Sequence, residues 1–255
     1  MSDIGTHQMV LVALMRTVLA IGSILLSGFA YAFPYSTSFE NPPFTPGILN
    51  GQDGWINPFA SYVVVNGGAR TGSQAVQFTD SNGTADPWAW VSLPAGTTNA
   101  VASVWVNVSS NSSTDYAFGL DAIYDGGSSD FSRITVNKNG DVFGTQGSST
   151  NSFTSFLGNV GAVADSYVQV SLSVDASANT AMGWVKGVGF ALPTLQSAAF
   201  IEDIDLFSHN RPGTTGVAGS AMFDDYSVAP IPEPATIVFL TGLAAATVLR
   251  KRTSK

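Results

Sequence analysis

Cysteine is absent from this 255-residue chain. Its absence excludes disulfide bridges, thiol catalysis, zinc–thiolate sites and iron–sulfur ligation. A chain of this length can bury an adequate core without disulfides, so their absence does not argue against an exported protein. Histidine is nearly absent as well, since His7 and His209 are the only two. His209 begins the segment His-Asn-Arg-Pro-Gly, which predicts a solvated loop residue.

Charge is scarce, and basic residues are the scarcest. The chain has ten Lys and Arg against eighteen Asp and Glu, a net charge of −8. Between residues 33 and 229, sixteen carboxylates stand against five basic residues, which gives this part a net charge of −11. Such a surface repels phosphates, so we expect no nucleic acid partner, although it could hold cations.

Helical periodicity is missing from residues 33–229, where apolar residues instead alternate with a period of two. Ala102, Val104, Val106 and Val108 form one alternating set, and Val168, Val170, Leu172 and Val174 form another. Asn139-Gly140 between two such runs is a strong hairpin signal, and Asp175–Asn179 marks a second turn. No internal repeat is visible. The pattern therefore predicts one all-β domain over 33–229, an antiparallel sandwich of two sheets.

The N-terminal segment has the features of a secretory signal peptide. Met15-Arg16 precedes the apolar stretch Thr17–Phe29, and Ala30-Tyr31-Ala32 provides a small-x-small cleavage site. Residues 1–32 are therefore predicted to be a signal peptide helix cleaved after Ala32. The alternative is an uncleaved N-terminal anchor, and translation could begin at Met9 or Met15.

The C-terminal segment, residues 230–255, has three parts in a fixed order. Pro232, Glu233 and Pro234 come first, fifteen uncharged residues from Ala235 to Leu249 follow, and a basic cluster comes last, formed by Arg250, Lys251 and Arg252. As a helix the apolar run falls somewhat short of a hydrocarbon core of roughly 30 Å, unless the flanking basic side chains extend outward. The basic cluster predicts a cytoplasmic C-terminus for this transmembrane helix. An ordinary core helix is the alternative.

This tail closely resembles the PEP-CTERM sorting segment of Gram-negative bacteria. The resemblance implies export through the inner membrane, an anchored precursor, processing by an exosortase, and delivery to the cell surface or extracellular matrix. Proteins with such tails usually accompany exopolysaccharide systems, which implies contact with glycan.

A second resemblance covers most of residues 33–229. Its motifs are short, and they are Ser38-Phe39-Glu40, Gly54-Trp55, Thr71–Val76, Tyr167–Asp175, Met182–Gly187 and Phe223–Val228. Together they are similar to strands of concanavalin A-like or laminin G-like jelly rolls, a fold that many carbohydrate-binding modules share. The resemblance implies a jelly-roll fold and does not fix a function.

The same family often holds a structural calcium ion between its first and last strands. The matching residues here are Glu40, Asp224 and Asp225, and calcium would take further oxygen ligands from backbone carbonyls. We expect Glu40 to lie close to Asp224 or Asp225, because first and last strands of such folds are adjacent. A solvated acidic edge without metal is the alternative, in which case the chain needs no cofactor.

Tryptophan is the candidate for sugar binding, because sugar rings stack on flat aromatic faces. Trp88 and Trp90 lie two residues apart, so on one strand they project from the same face. Turned outward they would form a sugar platform, and turned inward they would be core residues, which is the commoner fate of aromatic side chains.

Catalytic signatures are lacking. The strand Phe200–Phe207 carries Glu202, Asp203 and Asp205, a spacing that does not match the Glu-x-Asp-x-x-Glu pattern of jelly-roll glucanases. An acidic strand face open to water supplies no carboxyl pair with a raised pKa. We therefore expect a non-catalytic structural protein of the cell surface or matrix. The alternative is a carbohydrate-binding module that engages exopolysaccharide.

Overall fold

The structure is a computed structural model, and it describes residues 34–81, 87–124, 130–148, 151–192, 200–210 and 217–231. These residues form fifteen β-strands and no helix. In chain order the strands are β1 (Tyr35–Thr37), β2 (Gly47–Ile48), β3 (Tyr62–Asn66), β4 (Gln74–Asp80), β5 (Trp88–Ala89), β6 (Asn99–Val108), β7 (Tyr116–Tyr124), β8 (Asp130–Val136), β9 (Asp141–Ser148), β10 (Asn151–Asn159), β11 (Tyr167–Asp175), β12 (Thr180–Val185), β13 (Val188–Ala191), β14 (Ile201–Asn210) and β15 (Gly219–Pro230).

The strands build two sheets in which every pairing is antiparallel. The nine-stranded sheet has the order β13-β12-β11-β6-β15-β4-β3-β2, with β1 also paired to β15. The six-stranded sheet has the order β10-β9-β8-β7-β14-β5. The predicted all-β architecture with two antiparallel sheets is confirmed.

The core lies between the sheets, where the period-two pattern places it. Every second residue of β6 from Ala100 to Val108, and of β11 from Val168 to Val174, is buried against the six-stranded sheet. A hydrogen bond also connects the two sheets. The hydroxyl of Tyr62 on β3 donates to the backbone carbonyl of Leu206 on β14 at 3.2 Å. Burial of this hydroxyl raises the pKa of Tyr62 well above its usual value.

The two predicted turns are present. Asn139 and Gly140 lie in the short connection between β8 and β9, with Gly140 at a φ of 81°. In this turn the Asn137 side-chain oxygen accepts hydrogen bonds from two backbone N–H groups, those of Asn139 and Asp141. Asp175 ends β11, and its carboxylate accepts from the Ala178 N–H before β12 begins. Short polar side chains that satisfy their own backbone explain why these positions reverse the chain.

Apart from Pro230 and Ile231, the predicted terminal segments lie outside the described residues. They include the cleavage-site residues Ala30 and Ala32, the sorting motif Pro232–Pro234 and the basic cluster Arg250–Arg252. No helix within the described ranges is long and apolar enough to span a membrane.

Candidate functional site

The outer face of the six-stranded sheet, the one turned away from the nine-stranded sheet, carries an unusual row of polar side chains. On the described register Asp205 of β14 lies opposite Asp121 of β7, and Asp121 lies opposite Arg133 of β8. Leu206 pairs with Ala89, and a bridge joins Ser92 to Asp203 on the same register, which places Trp90 beside Asp205. One residue from each of six neighbouring segments stands in this row: Trp90, Asp205, Asp121, Arg133, Thr145 and Thr154.

Asp203 and Asp205 form a buried carboxyl pair at one end of the row. They are only 5% and 1% exposed, and their side chains are hydrogen-bonded to each other. Two carboxyl groups can share a hydrogen bond only if one of them carries the proton. Burial, reinforced by the charge of Glu202, raises the pKa of Asp203 to about 6. Burial and the neighbouring Asp203 also raise the pKa of Asp205 well above its usual value.

This pair also retains capacity for a further hydrogen bond. The Oδ1 atoms of Asp203 and Asp205 are buried and have no hydrogen-bond partner in the part of the chain that the structure describes. A buried acceptor without a partner costs free energy, so such groups are commonly found where a ligand or water completes the bond. The pair can therefore hold a proton near neutral pH.

Arg133 occupies the middle of the row between two aromatic rings. Its Nε donates to Oδ2 of Asp121 at 2.7 Å, and Asp121 is 1% exposed. The guanidinium carbon lies 3.9 Å from the ring centre of Phe131 and 4.0 Å from that of Phe207. Aromatic rings on both sides hold the guanidinium in place, and the Asp121 carboxylate neutralises its charge. The row thus offers directional polar groups with little uncompensated positive charge.

An aromatic cluster borders the carboxyl pair. Trp88 pairs with Phe207 in the register, and both Trp88 and Trp90 are half-buried. The ring centres of Trp88 and Trp90 are 6.5 Å apart at an angle of 33°, and Phe59 meets Trp88 edge-on at 4.6 Å. Phe59 is 42% exposed. The two tryptophans therefore share one face as predicted, and that face is the outer one.

The other three tryptophans have different surroundings. Trp55 is buried in the core at 1% exposure and donates to the Tyr35 hydroxyl at 2.9 Å. Trp105 and Trp184 are half-buried on the nine-stranded sheet, where the Arg70 guanidinium lies 3.7 Å above the Trp105 ring. The carboxyl pair and its neighbouring aromatic rings thus distinguish Trp88 and Trp90 from the rest.

The proposed calcium ligands lie around one loop, residues 70–74. Glu40 accepts from the backbone N–H groups of Ser73 and Gln74, each at 2.8 Å. Asp224 accepts from the Arg70 and Thr71 N–H groups at 2.8 and 3.0 Å, although burial still raises the pKa of Asp224.

The third residue, Asp225, binds the Arg70 guanidinium at 2.6 Å. Asp225 and Glu40 also line a cleft of about 550 Å³, together with residues of the paired strands β1 and β15. Among the described residues no group of three or more His, Cys, Asp or Glu side chains is arranged to hold a metal ion. Calcium binding here stays a prediction.

His209 corrects one expectation from the sequence. It is not a solvated loop residue, because it lies on β14, is 4% exposed and contacts the Thr135 hydroxyl at 3.0 Å through Nε2. Burial and the nearby Arg133 charge lower the pKa of His209 to about 4, so the ring is neutral near pH 7. The turn-like sequence after His209 hid the fact that β14 extends through Asn210.

Sequence reasoning also missed Asp121 and Arg133. The sequence signal that could have identified them is the alternation of side chains along each strand. Each residue sits at a strand position whose neighbours two residues away include an apolar side chain, Ile123 and Phe131 respectively. If such a strand face is buried, a charged residue on it needs a partner of opposite charge.

No family model matches the chain, and no curated protein matches it in sequence. Solved structures do share its fold. Alginate lyase vAL-1 from Chlorella virus has a TM-score of 0.50 at 12% identity, over 67% of this chain and 89% of that one. The cellulose induced protein Cip1 has a TM-score of 0.50 at 13% identity, over 77% of this chain and 97% of that one.

A bifunctional GH43-CE protein from Bacteroides eggerthii has a TM-score of 0.53 at 15% identity. The match covers 77% of this chain but only 27% of that much longer one. At these identities the three similarities establish a shared β-sandwich fold.

The expectation that the chain is not an enzyme is wrong as it was argued. It assumed that the carboxylates of β14 face water and form no pair. Asp203 and Asp205 are instead buried next to each other, and the pKa of each is raised. The similar structures also include an alginate lyase that is matched over 89% of its length, so this fold can house an enzyme.

Proposed function

We propose that the outer face of the six-stranded sheet binds a polysaccharide, with Trp88 and Trp90 as the stacking platform. The observation that carries the proposal is the placement of these half-buried rings beside the Asp203–Asp205 pair. A sugar ring needs both an apolar face to stack on and polar groups for its hydroxyls, and sites with few, well-placed polar groups among aromatic side chains are typical binding sites. We further propose that the sandwich is a jelly roll of the concanavalin A-like kind.

The charge around the site favours a neutral polysaccharide. Arg133 is the one basic side chain of the row, and it is already paired with Asp121 at 2.7 Å. Residues 33–229 carry a net charge of −11, which would repel an anionic chain. A neutral polysaccharide does not meet this repulsion.

Binding is tested with immobilised neutral and anionic polysaccharides and the variants Trp88→Ala and Trp90→Ala. We expect each variant to weaken binding at least tenfold, since aromatic residues at binding hot spots contribute more than about 1.4 kcal/mol. Trp184→Ala is the matched control, because Trp184 is also half-buried but lies on the other sheet. Equal affinity for the parent and both outer-face variants would contradict the proposal, and so would a preference for anionic chains.

A second candidate function is cleavage of the bound polysaccharide with the carboxyl pair as proton donor. It is favoured by the raised pKa of Asp203, about 6, which keeps a proton available near neutral pH. In hydrolysis the donated proton would go to the glycosidic oxygen as its bond to carbon breaks, and water would supply the new oxygen. Release of reducing ends by the parent but not by Asp203→Asn would support it, while release by both would rule out this residue as the donor.

The proposal also includes export and sorting, and only the sequence of the terminal segments supports this part. The tail's resemblance to PEP-CTERM segments supports processing by an exosortase and a final location at the cell surface or in the matrix. A polysaccharide-binding sandwich would suit that location, since such tails accompany exopolysaccharide systems. The inner membrane would hold the precursor through residues 235–249.

A further inference from the structure

One edge of the sandwich lacks the features that normally prevent strands of different molecules from pairing. The strand order of the two sheets ends at β13, β2, β5 and β10. β2 and β5 have two residues each and directly follow Pro46 and Pro87, and β13 has four residues shortly after Lys186. Short strands, proline and lysine are the usual protections of sheet edges.

β10 has none of these three protections. It has nine residues, from Asn151 to Asn159, with no proline and no charged side chain. Among the described strands it pairs only with β9, so no described strand occupies the backbone N–H and C=O groups on its other side. Its Phe156 side chain is 62% exposed, the highest exposure among the large apolar residues of the described part of the chain.

Only the first part of β10 can pair with a further strand. A register shift lies between Phe156 and Gly158, and a Cβ placed on Gly158 would approach the Phe190 ring of β13 within 3.1 Å. The strand end is therefore packed closely against Phe190 of the other sheet. The preceding segment Asn151–Phe156 is the part whose outer edge no described strand occupies.

We propose that this segment pairs antiparallel with the same segment of a second copy of this chain, joining two six-stranded sheets into one. A two-fold axis makes such an edge self-complementary, since each copy supplies the same strand. The distribution of charge favours this edge as the contact between two copies. Residues 33–229 carry a net charge of −11, so two copies repel over most of their surfaces, and an uncharged strand is where they can approach.

The test measures the mass of the full chain by sedimentation equilibrium over a range of concentrations. We expect the parent to reach twice the 26.5 kDa of one chain, and Phe156→Lys to remain at the single-chain mass because lysine at an edge prevents pairing. Val188→Lys is the matched control. Val188 is 49% exposed on the edge strand β13, and this variant should dimerise like the parent.

A parent that stays at the single-chain mass at the highest concentration overturns the proposal. So does dimerisation of both variants, or of neither. If circular dichroism shows that Phe156→Lys is unfolded, hydrogen exchange on the parent decides. Amides of residues 151–156 that are protected at high concentration and exchange on dilution support the contact, and amides that exchange equally at both concentrations refute it.

Discussion

Replacing Asp203 with asparagine should change how stability depends on pH. Folding raises the pKa of this carboxyl from its ordinary value of 3.8 to about 6, chiefly because burial disfavours the charge. Between these values the folded protein keeps a proton that the unfolded chain has released. The free energy of unfolding of the parent therefore falls as the pH rises through this window.

The magnitude follows from the shift. Each pKa unit corresponds to 1.36 kcal/mol, so a rise to about 6 removes roughly 3 kcal/mol of stability between pH 4 and pH 8. Asp203→Asn carries no titrating proton at this position. The variant's free energy of unfolding relative to the parent should therefore increase by about that amount over the same range, whatever fixed effect the amide has on packing.

The assay is urea unfolding of the parent and the variant at several pH values from 4 to 8. Glu40→Gln is a control of opposite sign. The Gln74 and Ser73 hydrogen bonds lower the pKa of Glu40, so this carboxylate contributes stability above its unfolded pKa that is lost as the pH falls. The Glu40→Gln difference should therefore grow more unfavourable with rising pH. A stability difference for Asp203→Asn that does not change with pH would refute the reasoning.

Three further predictions concern the loop, the metal and the tail. Asp224→Ala should lower the free energy of unfolding by about 2 kcal/mol, because the Arg70 and Thr71 N–H groups lose their charged acceptor, whereas the partly exposed Asp225→Ala should cost less than about 1 kcal/mol. If calcium binds this region, a hundredfold excess over Kd adds about 2.7 kcal/mol, so melting should rise several degrees in calcium over chelator, and equal melting would exclude the site. Alanines in place of Pro232–Pro234 should leave export intact but strand the unprocessed protein in the inner membrane, and identical fractionation and mass of variant and parent would contradict the sorting hypothesis.

The alternation of side chains made the strands and their inner faces predictable. β6 and β11 bury the residues that the period of two selects, and Trp88 and Trp90 share a face because they are two residues apart. Asn139-Gly140 was recognisable because few residue pairs suit so tight a turn. These are local properties, set by neighbours within a few positions along the chain.

The site itself depends on pairings that no local pattern contains. Asp205 meets Asp121 across strands that are 84 positions apart in the sequence, and that register depends on the whole sandwich. Asp203 and Asp205 are two residues apart on one strand, but no local pattern shows that both side chains are buried. Burial turned an apparent solvated acidic edge into a proton-holding pair, and burial is a property of the assembled sheets.

The central position of β15 has a consequence for the order in which the chain can fold. β15 lies between β6 and β4 and also pairs with β1, yet it comes last among the strands in the sequence. Until it is synthesised, the larger sheet exists only as two separate pieces, one from β2 to β4 and one from β6 to β13. High contact order of this kind slows folding and leaves strand edges unpaired in the meantime. Until residues 219–230 have been synthesised, the chain therefore cannot complete the larger sheet or close its core.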